Sequence, residues 1–188
     1  MPQNIGQRES TRNRSMGEDH YETPAYAVVP LLPYIKSEWN VWECTDSLGT
    51  SKISSVLRSH GCTVQSTGKQ QIDFVRDHLF FSDPRCALKV KPDIIVTNPP
   101  YNQKDEFIAH CIVYYETSQI RSALLVPITT LEGKQRGALL GHMGKELQLI
   151  IPNRRVEFTG KSCWFPVMWL CIGMQLPAQL NFVDLQKE

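Results

Sequence analysis

The spacing of apolar residues changes period several times along the chain, and each change predicts an element. Residues 1–20 are polar, charged and aperiodic, which predicts a mobile tail. "TPAYAVVPLLPYI" (23–35) predicts a helix with Thr23 as its cap and Pro24 in its first turn, made irregular by Pro30 and Pro33. "NVWEC" (40–44) reads as a short buried strand. "SKISSVLRSHG" (51–61) carries Ile53, Val56 and Leu57 on one helical face and stops at Gly61. "CTVQST" (62–67) is a second strand, and "IDFV" (72–75) is a turn leading into helix. "DIIVTN" (93–98) is a strongly apolar strand of the kind buried inside a parallel sheet.

Further on, "DEFIAHCIVYYETS" (105–118) has Phe107, Ile108, Cys111, Ile112 and Tyr115 at helical spacing, and "RSALLVPIT" (121–129) is a fourth core strand. "ELQLIIP", "RRVEFTG" and "CWFPVMWLCIGM" follow with little room for helices, predicting strands that close one edge of the sheet as an antiparallel hairpin. The β-α-β-α beginning predicts a doubly wound α/β domain. Ligands of such sheets sit beyond the carboxyl ends of the strands, where residues 98–101 would lie.

Composition narrows the picture only slightly. Of 188 residues, 41% are apolar and 21% charged, which fits a globular chain with a sizeable core. The formal net charge of +1 gives no global attraction to nucleic acid, so any such binding needs a local patch. Six cysteines (44, 62, 86, 111, 163, 171) form no CxxC pair and have no matching histidine spacing. No metal site is therefore expected, and the thiols read as small buried groups in a reducing cytoplasm. No apolar run reaches the roughly 20 residues that span a bilayer, so no membrane partner is expected.

The densest chemistry lies in "DIIVTNPPYNQ" (93–103). Neither proline can donate to a strand ladder, so the strand must stop and Asn98, Pro99, Pro100 and Tyr101 sit rigidly at its carboxyl end. Asn98-Pro99-Pro100-Tyr101 at the end of an apolar strand resembles the catalytic motif of S-adenosylmethionine-dependent DNA adenine-N6 methyltransferases, especially small phage-type methylases. The resemblance covers about residues 21–169. It implies a Rossmann-like methyltransferase sheet, mostly parallel with an antiparallel C-terminal hairpin. It also implies S-adenosylmethionine as cofactor, no metal, and a base flipped out of the DNA duplex.

In that reading the Asn98 side-chain oxygen and the Pro99 carbonyl accept the two N–H bonds of an adenine amino group, and Tyr101 stacks the base, worth roughly 1–3 kcal/mol. "VWECTDSLGTSKI" (41–53) stands where the family's cofactor motif should be: Glu43 matches its acid, Gly49 its second glycine and Thr50 its threonine. Cys44 replaces a proline, and Ser47 the first glycine. Tyr21, Thr23 and Pro24 resemble the family's segment at the cofactor's methionine end. "TVQSTG" ends in Gly68 where an acid would hold the ribose. Asp73 and Phe74 fall where the family has an acid and an aromatic near the adenine ring.

Asn102, Lys104, Arg136, Arg154 and Arg155 are the candidate nucleic-acid contacts. Residues 21–188 leave no room for a separate target-recognition domain. Specificity would then come from the short loops 102–106 or 132–137, from a protein partner, or from a homo-oligomer. The reading implies an enzyme protecting DNA from restriction, in the cytoplasm or in a phage host's cytoplasm. Two alternatives stay open: the same chemistry on RNA adenine or protein glutamine, and a non-catalytic module that keeps the fold.

Overall fold

The computed structural model describes residues 22–77, 88–158, 161–162 and 165–186. The expected tail, and Tyr21 with it, lie outside the described residues. The chain begins with one helical turn, α1 (Ala25–Val28), continued by a 3-10 segment (Val29–Tyr34). It then runs through β1 (Asn40–Glu43), α2 (Lys52–Ser59), β2 (Thr63–Ser66), β3 (Ile94–Thr97), α3 (Lys104–Ser118) and β4 (Arg121–Pro127). A 3-10 turn (Ile128–Leu131) precedes α4 (Lys134–His142), and β5 (Leu147–Pro152), β6 (Glu157–Phe158), β7 (Lys161–Ser162), β8 (Val167–Ile172) and β9 (Leu180–Val183) complete the order.

Seven strands form one sheet in the order β2-β1-β3-β4-β8-β5-β9. All pairings are parallel except those of β8, which runs antiparallel to both β4 and β5. This is the expected doubly wound, mostly parallel sheet. The antiparallel strand, however, is not at an edge. All six residues of β8 are buried, and a strand apolar on both faces gains most between two neighbours. The edge falls instead to β9, whose alternate residues Leu180 and Phe182 face solvent.

Alternation along each strand builds two cores. On one face Ile94, Val96, Leu125 and Trp169 pack with Ala27, Val28, Ile53 and Leu57 of α1 and α2. On the other, Trp42, Ile95, Leu124 and Met168 meet Phe107, Ile108, Cys111 and Ile112 of α3 and Leu140 of α4. Each fully buried Leu or Ile contributes about 1.5–3 kcal/mol. Two indole N–H groups are satisfied as they are buried: Trp169 donates to the Ala27 carbonyl at 2.8 Å, and Trp42 to Thr67 Oγ1 at 2.8 Å. Asp93 accepts from the Asn40 amide at 2.8 Å, which pins the start of β1 beside β3.

Three expectations need correction. Thr23 caps nothing; Pro24 occupies the cap position, and the helix tightens to 3-10 geometry to accommodate Pro30 and Pro33. The loop expected at 132–137 is mostly the first turn of a helix, α4. In α3 it is Tyr114, not Tyr115, that is buried in the core. Among the described residues no helix is long and apolar enough to cross a membrane.

After β8 the chain turns at Gly173 with φ of +67°, and a Cβ there would lie 2.1 Å from Tyr115 Cε2. Left-handed strain and overlap with a ring act together. Gly173→Ala is expected to cost at least about 2 kcal/mol, lowering Tm by about 4–8 °C in a thermal melt. A melt superimposable on the wild type would contradict this packing.

Candidate functional site at the carboxyl ends of the central strands

The connection from β1 through α2 leads to β2 on one side, and that from β3 through α3 leads to β4 on the other. Between β1 and β3 the winding therefore reverses, and the loops that follow them part to leave a crevice. Glu43 ends β1 at this point and is 1% exposed. Its Oε1 accepts from Thr97 Oγ1 at 2.6 Å, from Thr45 Oγ1 at 2.8 Å and from the Thr45 amide at 3.0 Å. Its Oε2 is buried and has no hydrogen-bond partner among the described residues. Burial pushes the carboxyl up to about 7, against the hydrogen bonds from Thr97 and Thr45 that hold it down.

The loop after Glu43 is shaped by a residue that sequence reasoning passed over. Asp46 accepts from the amides of Thr50 at 3.1 Å and Ser51 at 3.0 Å and from Ser54 Oγ at 2.7 Å. Burial pushes its carboxyl up, but these hydrogen bonds outweigh it and leave the group below the usual range. Ser51 caps α2 by accepting from the Ser54 amide. The signal was present as an acid followed by hydroxyl residues at helix-entry spacing. Gly49 takes the left-handed turn inside this loop, at φ +70°.

Asn98, Pro99, Pro100 and Tyr101 follow β3 directly. Pro99 is buried, while Asn98, Pro100 and Tyr101 are half-buried. The Pro100 carbonyl accepts from the Gln103 amide at 2.9 Å, closing a turn just before α3. The Tyr101 ring meets Phe165 edge-on, with centroids 5.5 Å apart.

Two adjoining cavities flank this motif. One, of about 380 Å³, is lined by Thr23, Glu43, Asp46, Ser47, Asn98 and Pro100 among others. Here Thr23 Oγ1, like Glu43 Oε2, is buried without a partner among the described residues. The second, of about 350 Å³, includes Cys44, Ser47, Asp73, Phe74, Pro100 and Asn102 in its lining. Thr45, Ser47 and Pro100 border both. The first cavity suits a ligand end bearing an amino group, whose N–H would supply the partner that Glu43 Oε2 lacks. The second suits a flat ring, since Phe74 presents an aromatic wall stacked on Phe107 at 4.5 Å.

Of the sequence-predicted residues, Thr23, Glu43, Ser47, Asp73, Phe74, Asn98, Pro100 and Asn102 line these cavities. Pro24, Gly49, Pro99 and Tyr101 shape the loops around them. Asp73 is engaged locally: its Oδ1 accepts from the amides of Val75 and Arg76, and its Oδ2 lies 3.7 Å from Arg76 Nε. Lys104, Arg136, Arg154 and Arg155 all follow carboxyl ends of parallel strands, so they share the motif's end of the sheet. Asp105 lies 3.3 Å from Lys104 Nζ and 3.9 Å from Arg136 Nε, which offsets both charges. Arg154 and Arg155 are exposed and form no ion pair among the described residues. Among those residues, no group of three or more His, Cys, Asp or Glu is arranged to hold a metal.

No family model and no curated protein sequence matches the chain. Among solved structures, one similar chain is described as a modification subunit of a type I restriction enzyme from Vibrio vulnificus YJ016. It is 11% identical, with a TM-score of 0.48, over 92% of this chain and 49% of that one. This chain therefore spans about half the length of that protein.

Proposed function

We propose that this protein transfers a methyl group from S-adenosylmethionine to the exocyclic amino group of adenine in DNA. The observation that carries the reading is the rigid Asn98–Tyr101 segment at the reversal of the sheet, on the border of a two-part cleft with an unpartnered buried carboxylate oxygen at one end. When bound, the cofactor supplies an electrophilic methyl group on a positively charged sulfur. Glu43 and Thr23 would hold its amino-acid end, and Phe74 with Asp73 its adenine end.

The acceptor's amino nitrogen is a poor nucleophile because its lone pair is delocalised into the purine. Asn98 Oδ1 and the Pro99 carbonyl would each accept one of its N–H bonds, directing the lone pair out of the ring plane. Both acceptors are preorganised, because the two prolines fix the backbone that carries them. Tyr101 would stack the flipped base. Lys104, Arg136, Arg154 and Arg155 would meet phosphates at the same end of the sheet, and residues 21–188 would act as a catalytic domain. Methylation of this kind would mark DNA for protection from restriction.

A second acceptor class, a protein glutamine rather than RNA, draws support from charge, since RNA carries the same phosphates as DNA. The formal net charge is +1, and Asp105 offsets two of the four rim cations.

Asn98→Ala should lower the rate of labelled-methyl transfer to unmethylated DNA by about 10²–10³-fold, with cofactor affinity nearly unchanged. Full activity in that variant, or label found only in RNA or protein, would refute the DNA reading. A second test concerns Glu43, which holds its proton to about pH 7 when folded against 4.5 for the ordinary group. The folded state therefore binds the proton more tightly, and the unliganded protein should lose stability as pH rises from 4.5 to 7, by at most about 3 kcal/mol. Glu43→Gln should flatten this part of the Tm-against-pH curve. The same slope in the variant would rule Glu43 out as its source.

A further inference from the structure

Two of the chain's departures from the methyltransferase pattern, Ser47 and Gly68, are in contact. Gly68 is buried, and a Cβ on it would lie 2.4 Å from Ser47 Cβ and 2.9 Å from Ser47 Cα. Its φ lies outside the left-handed region, so conformational freedom is not what requires glycine there. The requirement is steric: bulk present on the first loop is absent from the second.

Gln71 ties the same two loops together. Its Oε1 accepts from the Gly68 amide at 2.7 Å, and its Nε2 donates to the Ser47 carbonyl at 3.0 Å. The Gly68 carbonyl in turn accepts from the amides of Gln71 and Ile72, both at 2.9 Å. One side-chain amide thus spans from the loop after β1 to the loop after β2. Ser47, the residue it holds, borders both cavities, whereas Gln71 lines neither.

We propose that Ser47, Gly68 and Gln71 form a clasp that sets the width of the cleft where a cofactor crosses from one cavity to the other. This rests on the cofactor reading above. In it, Ser47 and Gly68 are not two separate losses from the pattern but one exchange of bulk across the gap. Gln71 is a positioning residue, acting through the Ser47 carbonyl and the Gly68 amide rather than by touching ligand. With the amide in place the two loops are preorganised, and a ligand spanning both cavities need not order them on binding.

The test has two arms. In thermal melts of the unliganded chain, Gly68→Ala should lower Tm by about 4–8 °C. Ser47→Gly, which removes the nearer of the two clashing atoms, should restore at least half of that loss in the double variant. Equal losses in both backgrounds would overturn the steric pairing. In calorimetric titrations with S-adenosylhomocysteine, Gln71→Ala should weaken binding by about tenfold while its Tm stays close to the wild type. Unchanged affinity would overturn the clasp. A wild-type chain that binds no S-adenosylhomocysteine would instead overturn the cofactor reading and the clasp's part in it. Binding without rescue in the melts would overturn the clasp alone.

Discussion

Burying a carboxylate without a cation beside it costs several kcal/mol, and this chain does so at the reversal of its sheet. Glu43 is held there by hydroxyls from two directions: Thr45 in its own loop and Thr97 at the end of the neighbouring strand. These bonds fix the spacing between the ends of β1 and β3, from which the remaining geometry follows. The loop leaving β1 is captured by Asp46, whose acceptors start α2, while the loop leaving β3 is stiffened by Pro99 and Pro100. One carboxylate oxygen is left over, buried and without a partner among the described residues, while Glu43 lines a cavity together with Asn98.

The two cavities differ in the side chains they offer. Toward α1 and α2 the lining includes the hydroxyl and carboxyl groups of Thr23, Glu43, Asp46 and Ser51. Toward α3 it includes the aromatic wall of Phe74 and Phe107, continuous with the core around Trp42 and Tyr114. A single ligand with an amino-acid end and a flat ring would match these groups. The cations at the same end of the sheet, half of them offset by Asp105, give a rim of modest charge rather than a basic groove.

Much of this was legible in the sequence, for identifiable reasons. The consecutive prolines after an apolar run force a strand end, so the motif's position followed from covalent chemistry. Strong apolar spacing likewise exposed α3. What was not legible depended on neighbours through space. The antiparallel pair expected from the C-terminal strands is there as β5 and β8, but nothing in "VMWLCI" says which strands flank it, and burial on both faces puts it inside the sheet rather than at its edge. Gly137 and Gly141 weaken the helical signal of α4, which its packing through Leu140 restores. Ser47 and Gly68 read as independent departures because their contact is made only when the loops after β1 and β2 meet.

In the proposed reading one ligand crosses both cavities, with its amino group at Glu43 and its ring at Phe74. A crystal structure of the protein grown with S-adenosylhomocysteine tests this most directly. Continuous ligand density is expected over Ser47, with an amino nitrogen within hydrogen-bonding distance of the Glu43 carboxyl and adenine against Phe74. Crystals grown in saturating ligand with both cavities empty, or with ligand bound elsewhere on the chain, would contradict it.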